Sequence, residues 1–263
     1  MPAQDKAPES QSFVEHLEEF RIRLIRSAWA IALVSVVAYN FSEQIFAWLR
    51  RPIQSFLPSG GLVFTAPMDK FVAHLKISFF LGIAVSAPFW LYQVWGFVAP
   101  ALYKSEKKYA AWFIVSGSFL FIAGILFCYF LVFPLAFEFL MTYGGSVDQP
   151  MITIDQYLSF VITTAFLFGL AFELPLILVI LGLVGLVSAD FLRRNRRFAI
   201  VFLSIFAAVL TPPDVISMVS MLIPLAGLYE IAILLVGAME KRSPQAGDQF
   251  EDQGSSGPTT DST

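Results

Sequence analysis

The sequence predicts an all-α membrane protein with six transmembrane helices. Its 263 residues are 57% hydrophobic and only 14% charged, with a mean hydropathy of +0.71. Soluble domains average about 45–50% apolar and about 25% charged residues. Six apolar segments follow one another along the chain, and lysine and arginine gather in alternate connections. This pattern indicates an even number of spans with both termini in the cytoplasm.

The N-terminal region is predicted to lie outside the membrane. Residues 1–12 are polar and are expected to form a disordered tail with no cleavable signal peptide. Within residues 13–21, apolar positions 13, 17 and 20 share one helical face. We therefore expect a short amphipathic helix on the membrane surface before the first span.

The predicted membrane domain covers residues 13–240, and residues 241–263 read as a disordered cytoplasmic tail. The expected spans are about 22–41, 71–95, 109–133, 157–186, 198–210 and 215–236. The first four reach the roughly 20 residues that a crossing helix needs. The fifth is short, but the polar turn Thr211–Asp214 joins it to the sixth. The pair predicts a short helical hairpin that crosses with local bilayer thinning.

Orientation follows from the basic residues, which favour the cytoplasmic side. With the N-terminus inside, thirteen of the seventeen fall in cytoplasmic segments. These are Lys6, Arg21, Arg23, Arg26, Lys104, Lys107, Lys108, Arg193, Arg194, Arg196, Arg197, Lys241 and Arg242. Residues 42–70 and 134–156 are then the outside loops. The basic run at 193–197 reads as a topology signal rather than a nucleic-acid site.

Glu173 is the one charged residue between positions 157 and 186. A charge at bilayer depth costs at least about 2.5–3.5 kcal/mol, so such residues usually serve a function. The pattern leaves three roles open: proton relay, ligand contact, or a hydrogen-bonding strut. Pro175 is predicted to kink the span beside it.

Glu19 and Glu106 are two further candidates, both on the cytoplasmic side near the membrane. Carboxylates suit a cationic ligand, and arginine in particular, because its planar fork donates two parallel hydrogen bonds. The alternative is that each glutamate balances a neighbouring basic residue at a helix end.

The sequence predicts no metal site, cofactor or catalytic centre. His16 and His74 are expected on opposite sides of the membrane, and Cys128 is the only cysteine. Phosphate-loop, Ser-His-Asp and zinc-protease motifs are absent from the sequence.

Several motifs occur in an order that resembles the TatC family, the multispanning receptor subunit of the twin-arginine protein translocase. They are HLEEFRIRL at 16–24, SAP at 86–88, YQVWGFVAPALY at 92–103 with Glu106, FPLAF at 133–137, FGLAFELP at 168–175 and TPPDVIS at 211–217. The resemblance runs from about Phe13 to Glu240.

The resemblance implies a curved, cupped arrangement of six helices with short fifth and sixth spans. It implies a non-enzymatic receptor, driven by the proton motive force, that reads paired arginines of signal peptides and exports folded proteins. Glu19 and Glu106 match the recognition carboxylates, and Leu17, Arg21 and Phe97 match neighbouring positions. Single-span partner subunits of the TatA/TatB type, membrane lipids and further copies of the chain are the implied partners, and nucleic acid is not.

Other positions also match functional positions of the family. Glu173 and Tyr129 correspond to the concave intramembrane face, and Pro52 and Asp69 to the outside loops. The partner-docking region corresponds to Thr211, Pro212, Asp214, Ser217 and Met218.

Two residues depart from the family pattern. Asp69 stands where glutamate is common, which preserves the charge on a shorter side chain. Met218 stands where some members carry glutamine, which puts a polar partner contact there in doubt.

A secondary transporter with an ion or solute site at Glu173 is the main alternative function, and an intramembrane enzyme is a second.

Overall fold

The computed structural model describes residues 13–57, 61–98, 110–142, 151–183, 185–210 and 215–240, and these are almost entirely helical. Within these ranges no β-sheet forms, although a single parallel bridge joins Val63 to Thr153. Val63 donates to the Ile152 carbonyl at 3.0 Å and accepts from the Ile154 N–H at 2.8 Å. The two predicted outside loops are therefore tied together.

Helices account for nearly all of the described chain. They are α1 (Phe13–Ala38), α2 (Ser42–Leu49), α3 (Arg51–Gln54), α4 (Asp69–Val85), α5 (Ala87–Val98), α6 (Ala110–Phe127), α7 (Phe133–Thr142), α8 (Ile154–Phe172), α9 (Leu174–Leu183), α10 (Ala189–Arg194), α11 (Arg196–Leu210) and α12 (Val215–Glu240). A 3-10 turn, Tyr39–Phe41, joins α1 to α2. A π-helical segment, Cys128–Val132, joins α6 to α7.

Four helical stretches of the described chain are long and apolar enough to cross a bilayer: Glu15–Gln54, Ala111–Thr142, Ile154–Leu183 and Met218–Met239. The bent pair α4 and α5 makes a fifth candidate. Helix α11 has 15 residues and is about 22 Å long at 1.5 Å per residue. Because the hydrocarbon core is about 30 Å thick, the length of α11 does not establish the fifth predicted span, 198–210.

The predicted separate surface helix over 13–21 is wrong, because α1 runs without interruption from Phe13 to Ala38. The sequence of α1 contains neither proline nor glycine. An i,i+4 ion pair between Glu19 and Arg23 also spans the expected boundary. Such a pair stabilises a continuous helix, so the amphipathic start and the first span form one rod.

The second predicted span, 71–95, is not a straight helix: α4 and α5 meet at an angle of 56°. Ser86 lies at the bend, and its hydroxyl donates to the Gly82 carbonyl at 2.6 Å. Pro88 follows in the first turn of α5 and has no N–H with which to continue the hydrogen bonds of α4. Proline and serine back-bonding are both recognised causes of helix bends.

Two further boundaries differ from expectation in detail. Helix α7 continues to Thr142, so the first part of the predicted outside loop 134–156 is helical. The fourth span breaks at Glu173, between α8 and α9. This is the interruption that Pro175 predicted.

Helix packing brings distant parts of the chain together. Helix α1 lies along α4 and α5, α6 packs between α5 and α8, and α12 contacts α9, α10 and α11. The outward side of α1 is strongly apolar: Trp29, Leu33 and Val36 are each more than 70% exposed. Exposed apolar surface of this kind fits contact with lipid.

Candidate functional site

The first turns of α1 contact the end of α5. The His16 and Phe97 rings stack with centroids 4.4 Å apart, and Phe20 meets Phe97 edge-on at 5.3 Å. Leu17 is 51% exposed, and Arg21 is exposed as well. The ring of Phe97 therefore packs on the turns of α1 that carry Leu17 and Arg21, and the role of these residues in binding stays a prediction.

Glu19 lies in this neighbourhood and is not free. Arg23 Nη2 donates to Glu19 Oε1 at 2.6 Å, and Arg23 Nε donates to the same oxygen at 2.9 Å. The two side chains are 23% and 26% exposed. For Glu19, the balancing interaction expected from spacing is thus present in the structure.

Gly96 on α5 leaves the space that the Arg23 side chain occupies. A Cβ built on Gly96 would lie 2.0 Å from Arg23 Nη1 and 2.6 Å from Cζ. Any larger residue at 96 would displace the guanidinium. The role of Gly96 was not predicted, whereas the i,i+4 spacing of Glu19 and Arg23 was a signal for the ion pair.

An open cleft of about 390 Å³ adjoins this pair. It is lined by Glu15, Glu18, Glu19, Ile22, Arg23 and Arg26. Three carboxylates face two guanidinium groups, so the lining carries one net negative charge. This net charge favours a cationic ligand over an anionic one.

Several predicted site residues lie outside the described residues. These are Glu106, Thr211, Pro212 and Asp214. Ser217 lies in α12. Its neighbour Met218 is partly buried and packs against the hydrophobic core.

Glu173 occupies the break between α8 and α9 and is only 6% exposed. Neither carboxylate oxygen has a hydrogen-bond partner among the described residues. Its neighbour across the helix contact is Gly117, where an added Cβ would lie 3.1 Å from Glu173 Oε2. A buried acceptor without a donor is energetically costly, so Glu173 stays a candidate functional residue.

Tyr129, predicted on the concave face, is buried. Its hydroxyl donates to the Trp48 carbonyl at 2.8 Å, and its ring stacks on the Trp48 ring at 3.7 Å. Tyr157 makes the matching bond to the Leu49 carbonyl at 2.6 Å. Together the two tyrosines fasten α2 to the bodies of the third and fourth predicted spans.

Pro52 lies in the segment that links α1 to α4, and Asp69 is the first residue of α4. Pro52 belongs to α3, which packs on α7. Asp69 accepts from the Thr65 and Ala66 N–H groups, each at 2.8 Å. These bonds close the turn before α4, which gives Asp69 a structural role.

The opposite end of the molecule has its own ion pair. Lys76 on α4 donates to Asp155 at 2.6 Å and to Ser159 at 2.8 Å, both on α8.

No group of three or more His, Cys, Asp or Glu side chains that could hold a metal occurs within the described part of the chain.

Comparison with known proteins decides the family. A family profile, Sec-independent protein translocase protein (TatC), matches residues 15–224. The chain belongs to the TatC family. The resemblance seen in the motifs is therefore confirmed.

Individual relatives agree with the family match. A TatC protein of Carboxydothermus hydrogenoformans is 41% identical over 222 residues, which are 84% of this chain and 90% of the relative. One from Desulforapulum autotrophicum is 39% identical over 227 residues, 86% and 84% of the two chains. A crystal structure of the twin arginine translocase receptor TatC matches with a TM-score of 0.72 and 38% identity, covering 84% and 98%.

Membership in the TatC family assigns this chain to Sec-independent protein transport. Together with the apolar helices, it indicates a multi-pass protein of the bacterial inner membrane. The alternative of a secondary transporter with a solute site at Glu173 gains no support from these relatives.

Proposed function

We propose that this TatC family member is the signal-peptide receptor and core subunit of its translocase. The paired arginines of a signal peptide bind at the cytoplasmic face to Glu19 and Glu106, beside Leu17, Arg21 and Phe97. The apolar part of the signal lies against the face that holds Glu173. Single-span partner subunits and further copies of the chain then assemble around it in the lipid bilayer, and the proton motive force drives export.

The observation that carries this proposal is the cleft beside Glu19. Its lining has a net negative charge and a partly exposed carboxylate, and the stacked rings of His16 and Phe97 hold the adjoining end of α5 against α1. A guanidinium binds a carboxylate through two parallel hydrogen bonds that an ammonium cannot reproduce. The cleft is therefore suited to selecting arginine.

The proposed topology has six spans with both termini inside. Helices α11 and α12 form the last two, and the bilayer thins around the 15 residues of α11. The distribution of lysine and arginine supports this orientation. In it, the α1–α5 neighbourhood faces the cytoplasm, where precursor proteins are made.

Partner subunits are proposed to dock on α11 and on the start of α12, near Ser217 and Met218. Helix α11 exposes Phe202 at 67% and Ile205 at 59%, and α12 begins with Val215, which is 70% exposed. A photo-reactive residue at position 205 is expected to crosslink to the single-span partner. The same probe at Trp29, which is 73% exposed on α1, is the control and is expected to label lipid instead.

Photo-crosslinking to a signal peptide tests the receptor role. A peptide carrying Arg-Arg and its Lys-Lys twin, each with a probe beside the pair, are added to membranes containing the wild type, Glu19→Ala or Glu106→Ala. Glu43→Ala is the matched control, because it removes the same charge from an exposed position in α2, beyond the far end of α1. Removing one partner of a buried ion pair commonly costs about 2–5 kcal/mol.

We expect strong labelling of the wild type and of Glu43→Ala by the Arg-Arg peptide alone. Both Glu19→Ala and Glu106→Ala are expected to lose it. Equal labelling by the two peptides, unchanged by either alanine substitution, would reject the receptor site.

A further inference from the structure

The Arg23 side chain occupies the carboxylate that the receptor function assigns to a signal peptide. Two of its nitrogen atoms donate to Glu19, at 2.6 and 2.9 Å. The Arg23 side chain is 23% exposed, so it is a partly buried member of the α1–α5 contact. In the structure, Glu19 already has an arginine ligand from its own helix.

The position of the guanidinium depends on α5. It lies so close to Gly96 that an added Cβ would fall within 3.0 Å of three of its atoms: Nη1, Cζ and Nη2. Glycine leaves the space that the guanidinium fills, because it has no Cβ. Arg23 is thus held from both sides, by the carboxylate and by the α5 backbone.

The contact uses one carboxylate oxygen. Both donors of Arg23 end on Oε1, and no described residue donates to Oε2. A carboxylate accepts about four hydrogen bonds, so Glu19 retains acceptor capacity toward the cleft. A full two-oxygen pair with an incoming arginine, however, requires Oε1 as well.

We propose that Arg23 is an internal competitor for Glu19, which a signal-peptide arginine displaces from Oε1 when it binds. The inference rests on the proposed receptor function. In this arrangement Arg23 neutralises the carboxylate while no peptide is bound and weakens every ligand by the free energy needed to break the internal pair. Release of Arg23 from Glu19 is then a step of peptide binding.

A binding assay on the full-length chain in lipid nanodiscs tests the competition. The ligand is a fluorescent Arg-Arg signal peptide, measured by anisotropy against the wild type, Arg23→Gln and Arg26→Gln. Arg26 lines the same cleft, so Arg26→Gln reports the effect of removing one positive charge. A partly exposed ion pair contributes at most about 1 kcal/mol. If the peptide no longer has to break this pair, its affinity rises by about fivefold.

We expect Arg23→Gln to bind about fivefold more tightly than Arg26→Gln. In a Glu19→Ala background this difference should disappear, because the contested oxygen is gone. Gly96→Ala keeps the arginine yet displaces it from α5, and is expected to tighten binding as well.

Weaker binding by Arg23→Gln, or binding equal to that of Arg26→Gln, would overturn the competition, because Arg23 would then position Glu19 or play no part. If Glu19→Ala alone leaves binding unchanged, the receptor site itself is rejected and the competition falls with it. Loss of affinity in Glu19→Ala without a gain in Arg23→Gln rejects the competition alone.

Discussion

Replacing Gly124 by alanine tests the contact between α6 and α8. A Cβ added at Gly124 would lie 2.6 Å from the Phe168 carbonyl oxygen and 3.0 Å from the Gly169 Cα. Ordinary contacts begin at 3.4 Å, so the first distance is about 0.8 Å too short. The Phe172 Cγ atom, at 2.9 Å, is a third obstruction. Because the other two atoms are backbone, α8 has to move as a unit to make room.

The matched control is Gly227→Ala in α12, where an added Cβ meets nothing within 4 Å. Both substitutions replace a helical glycine by the better helix former, a gain of up to about 1 kcal/mol that the two share. Overpacking a close contact typically costs about 1–3 kcal/mol. The free energy of unfolding of Gly124→Ala should therefore fall below that of Gly227→Ala by about 1–3 kcal/mol.

The assay is reversible unfolding in mixed micelles with increasing SDS, followed by helical circular dichroism. Gly227→Ala is expected to match or exceed the wild type, and Gly124→Ala to unfold at a lower SDS fraction. Identical unfolding midpoints for the two variants would refute the idea that Gly124 permits the close approach of α6 to α8.

Three further predictions use the same unfolding assay. Tyr157→Phe removes the buried bond to the Leu49 carbonyl and is expected to lower the free energy of unfolding by about 1–2 kcal/mol; an unchanged value would show that water replaces the bond. Glu173→Gln should keep full stability, because neither Glu173 oxygen has a donor among the described residues; a loss above about 1 kcal/mol would reveal a partner for the carboxylate. Lys76→Met breaks a partly exposed pair with Asp155 and should cost less than about 1 kcal/mol, so a larger loss would show that this pair carries the α4–α8 contact.

The helical segments were predictable because their signals are local. Long apolar runs specify helices wherever they sit, and the six predicted segments all contain helix in the structure. The break at Glu173 was also predictable, since a proline two residues later removes a hydrogen bond from its own helix. The prediction of a separate surface helix over 13–21 was wrong because the apolar periodicity continues from these residues into the first span. The pattern therefore does not show whether one helix ends and another begins there.

The candidate site was only partly predictable. Sequence reasoning selected Glu19 and, through the resemblance, Phe97, and the structure brings their helices together. It gave the pairing of Glu19 with a neighbouring basic residue as an alternative, which Arg23 provides. It had no means of finding Gly96, since the role of that glycine is to leave space for a side chain on another helix.

The sequence by itself determined the helical class, the apolar segments, the basic asymmetry and the family, because composition and motif order do not depend on how the helices pack. Tertiary structure alone decided the 56° angle between α4 and α5 and the close approach of α6 to α8 at Gly124. It also decided the position of the Arg23 side chain between Glu19 and α5. Each of these depends on atoms that lie far apart in sequence or on the direction in which a bent helix leaves its hinge. Pairwise distances of that kind are set by packing, which the periodicity of a single segment does not encode.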